Sequence, residues 1–378
     1  MNKRLAKLLT FYIVPKRLRH RVRGYLCSDK FSDLISCPRQ VMRILRSKNA
    51  RADYCLIEMN PFHIECLYSV YAYMSRQNKK CAVFTTQKNL KLNLFPSDIA
   101  TFCISPYTIR VLDRLKFFNT ASCVFVGSYF IWNYQKTTEF FLANYIQTQK
   151  PLLTIDHAPD MHQPLQSAYK NVHQFVLADF MSKIYNMPVI WPIVFPCDNS
   201  NMTKDKNKFV SVGVIGDSNR RDMDTYLNWL GTTKSVKSDI ISATIYDEYR
   251  PRLSKLKNVC VYERAPFDQL FRSCQTATFI PFLIHGQTLG YYDKAISGNL
   301  NLALAFALIP IIDTRLAKLY GFSDDNAILY DGQSDCVRAL NAATKMSDVE
   351  IQQKQNNLRR LCARHIKSSI AEISKYLD

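Results

Sequence analysis

Histidine and carboxylate side chains follow one apolar run in the first half of the sequence. Asp156 and His157 end the run PLLTIDH, and Asp160 and His162 come shortly after it. An imidazole or a carboxylate can take a proton from a hydroxyl group at neutral pH. We therefore expect His157 to be a general base, with Asp156 orienting it or replacing it. A histidine that only supports the fold is the other interpretation.

A second pair of ionisable residues begins a helical pattern nearer the N-terminus. His63 and Glu65 follow an apolar run that predicts a buried strand. In a parallel sheet, the residues after each strand reach the same edge, which places this pair beside His157. We expect His63 and Glu65 to line the side of the site that receives the hydroxyl group. Glu65 is also typical of a first-turn acid that complements a helix dipole.

One segment has the composition of a phosphate-binding turn. The residues GDSNR, at 216–220, lie between a predicted strand and a predicted helix. Backbone N–H groups and the helix dipole attract anions at such a position, and Arg220 or Arg221 can add a charge-assisted hydrogen bond. An ordinary turn that caps the helix has the same composition. The residues expected to contact the ligand are Gly216, Asp217, Asn219 and Arg220.

A second helix start points to the same crevice. Ser297, Gly298 and Asn299 begin the apolar segment LNLALAFAL, and Lys294 lies just upstream. This segment predicts contacts with a diphosphate and a ribose. Alternatively, it is a capped core helix in which Gly298 permits close packing.

Glu263 ends another predicted strand. Acidic residues at strand ends accept hydrogen bonds from ribose in nucleotide-binding folds, so we expect such a contact here. A solvated carboxylate at a strand end would look the same in the sequence.

No spacing in the sequence predicts a metal site. There is no CxxC pair, and Asp324-Asp325 lies in a predicted loop. Lysine, arginine and helix termini can neutralise a leaving phosphate without a metal ion. We therefore expect a metal-independent reaction without a cofactor. The twelve cysteines are scattered through apolar runs, which favours reduced, buried thiols in the cytoplasm.

Alternating strands and helices position these residues. Strand-like runs and helical patterns alternate from residue 53 onwards and resume after the polar segment 197–208. Strands separated by helices form parallel sheets that are covered on both faces. The sequence therefore predicts an α/β protein with two Rossmann-like domains. The predicted divisions are a leader at 1–24, a first domain at 25–196, a linker at 197–208, a second domain at 209–346 and a C-terminal helix at 347–378.

Charge is concentrated at the N-terminus. The chain has 50 Lys and Arg against 31 Asp and Glu, a formal charge of +19, which favours phosphates, anionic lipid or nucleic acid as partners. Residues 1–24 contain eight Lys and Arg and no acid, interleaved with leucine, phenylalanine and isoleucine. This composition predicts a segment on an anionic membrane surface, or else a solvated basic helix. The longest apolar run, 302–312, is too short to span a bilayer, so we expect peripheral contact.

Three stretches of the second half carry a resemblance to a known family. In order they are VGVIGDSNRRD, YERAPFDQLFRSCQTATFIPF and KAISGNLNLALAFALIPIID. With two parallel-sheet domains and a helical tail, they resemble the GT-B glycosyltransferases, most of all those that build bacterial lipopolysaccharide or capsule. Two departures stand out. Asp293 and Asn301 replace the glutamate pair of many retaining members, and Asn60-Pro61-Phe62-His63 replaces a glycine-rich turn.

The resemblance implies two domains that face a cleft, and a transferase that moves a sugar from a nucleotide-sugar donor. It implies a growing, lipid-linked surface glycan as the acceptor, at the inner face of the cell membrane. A polyol-phosphate transferase of the teichoic-acid type would share the fold. A basic nucleic-acid-binding protein is the alternative from another class, although no nucleic-acid-binding motif occurs in the sequence.

Overall fold

The architecture was analysed in a computed structural model of the chain. It describes residues 29–60, 63–128, 142–157, 159, 169–196, 203–216, 221–285, 291–292 and 294–377. The basic leader 1–24 and three predicted phosphate contacts, Asp217, Asn219 and Arg220, lie outside the described residues.

The first domain contains a six-stranded parallel sheet in the order β3-β2-β1-β4-β5-β6. Its strands are β1 (Tyr54–Glu58), β2 (Cys81–Thr85), β3 (Ala100–Cys103), β4 (Cys123–Val126), β5 (Leu152–Ile155) and β6 (Val172–Phe175). Its helices are α1 (Asp29–Arg46), α2 (Ile64–Met74), α3 (Gln87–Leu90), α4 (Pro106–Arg114), α5 (Ala143–Ile146) and α6 (Asp179–Tyr185). The central strands β1, β2, β4 and β5 are buried along their whole length, which explains their continuous apolar sequences.

The second domain repeats this arrangement with the order β12-β11-β10-β7-β8-β9. Its strands are β7 (Asp205–Val212), β8 (Lys237–Ser242), β9 (Val259–Glu263), β10 (Ala277–Pro281), β11 (Ile309–Asp313) and β12 (Ile328–Tyr330). Its helices are α7 (Met223–Thr232), α8 (Arg250–Leu253), α9 (Phe267–Thr276), α10 (Gly298–Ala305), α11 (Thr314–Tyr320) and α12 (Gly332–Lys345), followed by α13 (Asp348–Ser374). Both sheets are all parallel, so the predicted pair of Rossmann-like domains is confirmed.

Strand β7 begins at Asp205, inside the segment predicted to be the linker. Its polar start is held by two ion pairs to β8, from Lys208 to Asp239 at 2.8 Å and from Lys237 to Asp205 at 3.0 Å. The apolar pattern marks only the later part of the strand, because these charged pairs replace apolar packing at its start.

Helix α13 connects the two domains. It packs against α10 and β11 of the second domain and against α2 of the first. The Oγ of Ser369 accepts a hydrogen bond from the backbone N–H of Trp191 at 2.9 Å, and the ring of His365 stacks on Trp191 at 3.8 Å. The end of the chain is therefore part of the contact between the domains. Among the described helices, none is both long enough and apolar enough to cross a bilayer.

Candidate functional site

The strand order places a crevice at the carboxyl ends of β1 and β4. In both sheets the strand order reverses at the first strand of the domain, and ligands of such folds bind outside the carboxyl ends at this point. In the first domain, β1 ends at Glu58, and Gly127 and Ser128 follow β4 on the neighbouring strand. The crevice is therefore bordered by a carboxyl group and a glycine turn.

Glu58 is fully buried and anchors this turn. Its Oε1 accepts a hydrogen bond from the backbone N–H of Asn60 at 2.6 Å, and its Oε2 accepts one from the Oγ of Ser128 at 2.9 Å. A Cβ at Gly127 would lie 2.4 Å from Oε2, so only glycine leaves room for the carboxyl group. Burial raises the pKa of Glu58 to about 8, although both hydrogen bonds oppose the rise.

His157 lies over the same turn. Its Nε2 is 3.2 Å from the carbonyl oxygen of Gly127, which can only accept a hydrogen bond. The proton therefore resides on Nε2, and Nδ1 carries the lone pair of the ring. Burial, and then the neighbouring His63, hold the pKa of His157 well below its usual range, so the ring is neutral.

His63 joins His157 from the start of α2. The rings of His63 and His157 stack at 4.0 Å between centroids and 16° between planes. Burial lowers the pKa of His63 to about 4 and raises the pKa of Glu65 to about 7. His63, Glu65 and His157 are each half-buried. The structure thus brings two of the predicted residues, His63 and His157, into contact, and Glu65 lies in the first turn of α2, where it acts on the buried carboxyl group of Glu58.

Asp156 lies beside the neighbouring strand β6. It is 1% exposed, and its Oδ2 accepts a hydrogen bond from the Nε2 of Gln174 at 3.2 Å. The carbonyl oxygen of Gly127 holds the ring of His157. That Asp156 orients the base, or replaces it, stays a prediction.

The ligand atoms of His63, Cys66 and His157 lie within 4.8 Å of one another. A metal ion must lie close to the plane of each imidazole that binds it, along the nitrogen lone pair. The two rings are nearly parallel and 4.0 Å apart, so their lone pairs do not meet at one point. The stacked arrangement therefore does not fit a shared metal ion.

In the second domain, Arg221 lies at the equivalent reversal of strand order. Its Nη1 donates to the carbonyl of Phe282 at 2.7 Å, and its Nη2 donates to the Oγ of Ser297 at 3.1 Å. The side chain crosses Gly213, where a Cβ would lie 2.2 Å from Nε. Arg221 is 7% exposed, so it ties β7, the segment after β10 and α10 together from within the protein.

This arginine changes the interpretation of the start of α10. Ser297 and Asn299 are each 1% exposed, and both lie within hydrogen-bonding reach of Arg221. Their side chains therefore support the arginine, which agrees with the alternative of a capped core helix, and their contact with a ligand stays a prediction. Gly298 is exposed, and a Cβ there would meet no atom within 4 Å, so close packing is not its reason. Lys294 is exposed as well.

Gly216 begins the predicted phosphate turn with a φ of 104°. A Cβ there would lie 2.6 Å from the ring of Tyr246, which covers the turn and is 43% exposed. Glu263 contacts this region from β9: its Oε1 accepts from the N–H of Ile245 at 3.3 Å and its Oε2 accepts from Arg250 at 3.0 Å. The hydrogen bond from Arg250 lowers the pKa of Glu263. Glu263, the predicted ribose contact, thus stabilises the segment 245–250 beside Gly216.

The start of α7 is capped by a carboxylate. Asp222 accepts from the N–H of Thr225 at 3.1 Å and pairs with the Nε2 of His285 at 3.1 Å. Burial raises the pKa of Asp222, but the hydrogen bonds from His285 and Thr225 outweigh it and hold the pKa below its usual range. Helix α7 therefore begins at Met223, after the predicted turn 216–220. The carboxylate of Asp222 satisfies one of the backbone N–H groups at its start.

The sequence matches no model of a known protein family and no curated protein. The structure, however, is similar over most of its length to solved glycosyltransferases. The Anabaena protein HepE, crystallised with UDP, has a TM-score of 0.56 at 11% identity, over 86% of this chain and 99% of that chain. The chain adopts the GT-B fold.

Two further GT-B structures show the same extent of similarity. The glycosyltransferase VinC, in complex with dTDP, has a TM-score of 0.51 at 10% identity, over 86% of this chain and 99% of that chain. AviGT4, a glycosyltransferase involved in avilamycin A biosynthesis, has a TM-score of 0.53 at 10% identity, over 85% and 96%. The two domains of the GT-B fold face a cleft, so the carboxyl ends described above border it.

Sequence reasoning missed several residues of this cleft. Glu58 belongs to an apolar strand, and its burial became visible only when the neighbouring strand was known. Tyr246 follows β8, which ends at Ser242, and its packing on Gly216 joins two segments that are distant in the sequence. Arg315 is exposed after β11, with its guanidinium 4.6 Å from the ring centre of Tyr292. The pair Gly127-Ser128 was a detectable signal, because glycine at the end of a buried strand permits close approach of another group.

Proposed function

We propose that this chain is a glycosyltransferase that moves a sugar from a nucleotide-sugar donor to a hydroxyl group of a glycan. The observation that carries the proposal is the pair of neutral, half-buried imidazoles of His63 and His157 at the cleft of a GT-B fold. An imidazole held neutral by burial, with an oriented ring and a free lone pair, is suited to general-base catalysis.

The proposed reaction begins at Nδ1 of His157. This atom takes the proton of the acceptor hydroxyl while the oxygen forms a bond with the anomeric carbon of the donor. The bond between that carbon and the phosphate oxygen breaks, and the electron pair leaves with the nucleoside phosphate. Cationic side chains neutralise this charge, and Lys294, Arg220 and Arg315 are our candidates. The protein supplies these groups itself, so the proposal requires neither a metal ion nor a cofactor.

The donor is proposed from both the fold and its neighbours. HepE was crystallised with UDP and with UDP-glucose, and VinC with dTDP. In this chain, the donor would lie against Gly216, Tyr246 and Glu263 in the second domain. These residues form one connected group at the carboxyl edge of the sheet.

For the acceptor we propose a growing, lipid-linked glycan of the bacterial surface, as in lipopolysaccharide or capsule. The support is the formal charge of +19 together with the basic, apolar leader 1–24. Such a segment holds a protein at an anionic membrane surface. We therefore place the enzyme at the inner face of the cell membrane, as a peripheral protein.

A donor screen tests the proposal. UDP-, GDP-, CMP-, CDP- and ADP-linked donors are added separately, and unfolding is followed by thermal shift. A donor at 100 times its Kd stabilises the folded state by about 2.7 kcal/mol. We expect one sugar nucleotide to raise Tm, and the same one to be consumed when acceptor is present.

Matched lysines control the screen. Lys294→Ala should weaken donor binding by about 1–3 kcal/mol if its ammonium contacts the phosphates. Lys318→Ala, an exposed lysine of α11, should leave the binding unchanged. Stabilisation by a CDP-polyol with release of CMP would identify a polyol-phosphate transferase instead. A failure of every nucleotide donor to bind would refute the proposal.

A further inference from the structure

Helix α1 uses one face to join the first domain. Cys37, Val41 and Ile44 are buried at the helical spacing of four and three residues, and the helix packs against α4. Gln40 secures the contact, since its Nε2 lies 3.6 Å from the Sγ of Cys103 and its Oε1 accepts a hydrogen bond from Thr108. The helix is therefore fixed to the protein along this face.

The adjoining face of α1 is an exposed apolar stripe. Four large side chains on it are exposed: Leu34 by 44%, Ile35 by 60%, Met42 by 47% and Leu45 by 38%. At about 100° per residue they fall, together with Pro38, within about 100° of arc. Among the described residues, nine large hydrophobic side chains are exposed, and four of them lie on this one helix. A contiguous apolar stripe of this kind marks an interaction surface.

A row of arginines borders the stripe. Arg39, Arg43 and Arg46 are exposed and repeat at intervals of four and three residues, on the side away from the packed face. Asp33 lies on the packed side, where its backbone oxygen accepts hydrogen bonds from Ser36 and Ser105. Among the α1 side chains that the structure describes, those on the outer surface are apolar residues next to cations, without an acid between them.

We propose that α1 docks on an anionic lipid bilayer, with its apolar stripe in the interface and its arginines on the lipid phosphates. An amphipathic helix with apolar residues on one face and cations beside them binds membranes in this orientation. The eight cations of residues 1–24 directly precede α1 and add charge of the same sign. The inference deepens the proposed function, because it specifies which surface of the first domain meets the membrane.

Two other occupants of the stripe were considered: a second copy of the chain, and the leader 1–24 folded back on α1. A second copy would bring two arginine rows together, and the leader would bring its eight cations to the row. Like charges would repel each other in both cases. Charge complementarity therefore favours an anionic bilayer.

Vesicle sedimentation of the full chain tests the proposal. Phosphatidylcholine vesicles with and without phosphatidylglycerol are compared. Ile35→Asp combined with Met42→Asp should reduce binding to anionic vesicles by about tenfold or more. The two apolar side chains that enter the bilayer interface are replaced by carboxylates, so the burial of their apolar surface is lost. Arg39→Gln, Arg43→Gln and Arg46→Gln should each reduce it on the order of fivefold and lessen the preference for phosphatidylglycerol.

Matched controls lie elsewhere on the surface. Ile184 and Val349 are exposed by 56% and 76%, yet they lie on α6 and α13. Ile184→Asp and Val349→Asp should bind vesicles as the parent does. All variants should keep the Tm of the parent and its response to the donor, which separates a failure of membrane docking from a failure of the proposed transferase.

A tryptophan at position 35 reports contact directly. The fluorescence of Ile35→Trp should be quenched by vesicles with brominated acyl chains, and that of Val349→Trp should not. Equal sedimentation of the aspartate variant and the parent would overturn the proposal. So would a dimer that Ile35→Asp disperses, which identifies a second copy, or a position-35 tryptophan already shielded in buffer alone, which identifies the leader.

Discussion

At the scale of single residues, burial divides the ionisable groups of the cleft into two kinds. It lowers the pKa of the imidazoles His63 and His157 and raises the pKa of the carboxyl groups Glu58 and Glu65. In both cases burial disfavours the charged form. The first-domain side of the cleft therefore carries little charge before a substrate binds, and its imidazoles are unprotonated at neutral pH.

His157→Ala should reduce turnover by about two to four powers of ten, the usual contribution of a general base. Donor affinity should change little, because the proposed donor contacts lie in the second domain. His173→Ala, a half-buried histidine on β6 that packs on Tyr376, is the control and should keep parental turnover. Near-parental turnover of His157→Ala with saturating acceptor would exclude this residue as the base.

The pH profile separates the sequence-based expectation from the structural one. An ordinary imidazole titrates near pH 6.5, and the sequence alone predicts an acid limb there. The pKa of His157 is lowered, so we expect the fall in turnover at a clearly lower pH. The free energy of unfolding should also decrease as pH falls. Below about pH 6.5 the histidines of the unfolded chain bind protons, whereas the buried imidazoles of the folded chain stay neutral until the pH nears the pKa of His63, about 4. Turnover and urea unfolding measured from pH 4 to 8 check both statements.

Glu58 is a positioning residue whose effect reaches His157 through the turn 127–128. Glu58→Gln keeps a neutral group of the same shape with partners in Asn60 and Ser128, so turnover should stay within about tenfold of the parent. Glu58→Ala leaves the turn without its anchor and should destabilise the fold by about 1–3 kcal/mol for the unpaired groups.

The raised pKa of Glu58 costs the parent stability as pH rises from about 4.5 to about 8. Glu58→Gln should lose that dependence in urea unfolding, and an unchanged dependence would contradict this role.

At the scale of elements, the connections after the strands decide the shape of the cleft. Gly216 follows β7, and its backbone conformation leaves no room for a side chain beneath Tyr246. Residues other than glycine at such a φ cost on the order of 1–3 kcal/mol. The glycine is thus required by the turn itself, before any ligand is considered.

Gly216→Ala should therefore lower the free energy of unfolding by about 1–3 kcal/mol and weaken donor binding, because Tyr246 must move. Gly298→Ala is the control: an added Cβ meets no atom within 4 Å, and the residue begins a helix, so stability should change by less than about 1 kcal/mol. Urea unfolding and donor titration measure both effects. Parental donor affinity in a destabilised Gly216→Ala would show that this turn does not contact the donor.

At the scale of the whole molecule, α13 holds two doubly wound domains in one body. Ser369 is fully buried and accepts from Trp191 while it donates to the carbonyl of His365. Ser369→Ala leaves a buried N–H without its partner and should destabilise the protein by about 1–3 kcal/mol. Thr344→Ala, a half-buried position on α12 whose hydroxyl donates only to the carbonyl of Asn341 one turn earlier, should have no such effect. Equal unfolding midpoints for the two variants would show that this hydrogen bond does not join the domains.

The sequence alone determined the class of fold and part of the site. Alternating apolar runs and helical patterns predicted two parallel sheets, because the period of apolar residues reports which faces are buried. The same reasoning placed His157 and His63 after strands, where the cleft lies. The start of β7 was missed, because charged residues form its first part.

Only the tertiary structure decided which groups meet. Strand order placed Glu58 beside Gly127 and Gln174 beside Asp156, and it set Arg221 over the start of α10. The packing of α1 on α4 determined which face of α1 is exposed to solvent. These contacts join residues that are distant in the chain. Local periodicity records that a side chain is buried, but the neighbour it is buried against depends on how the strands are ordered.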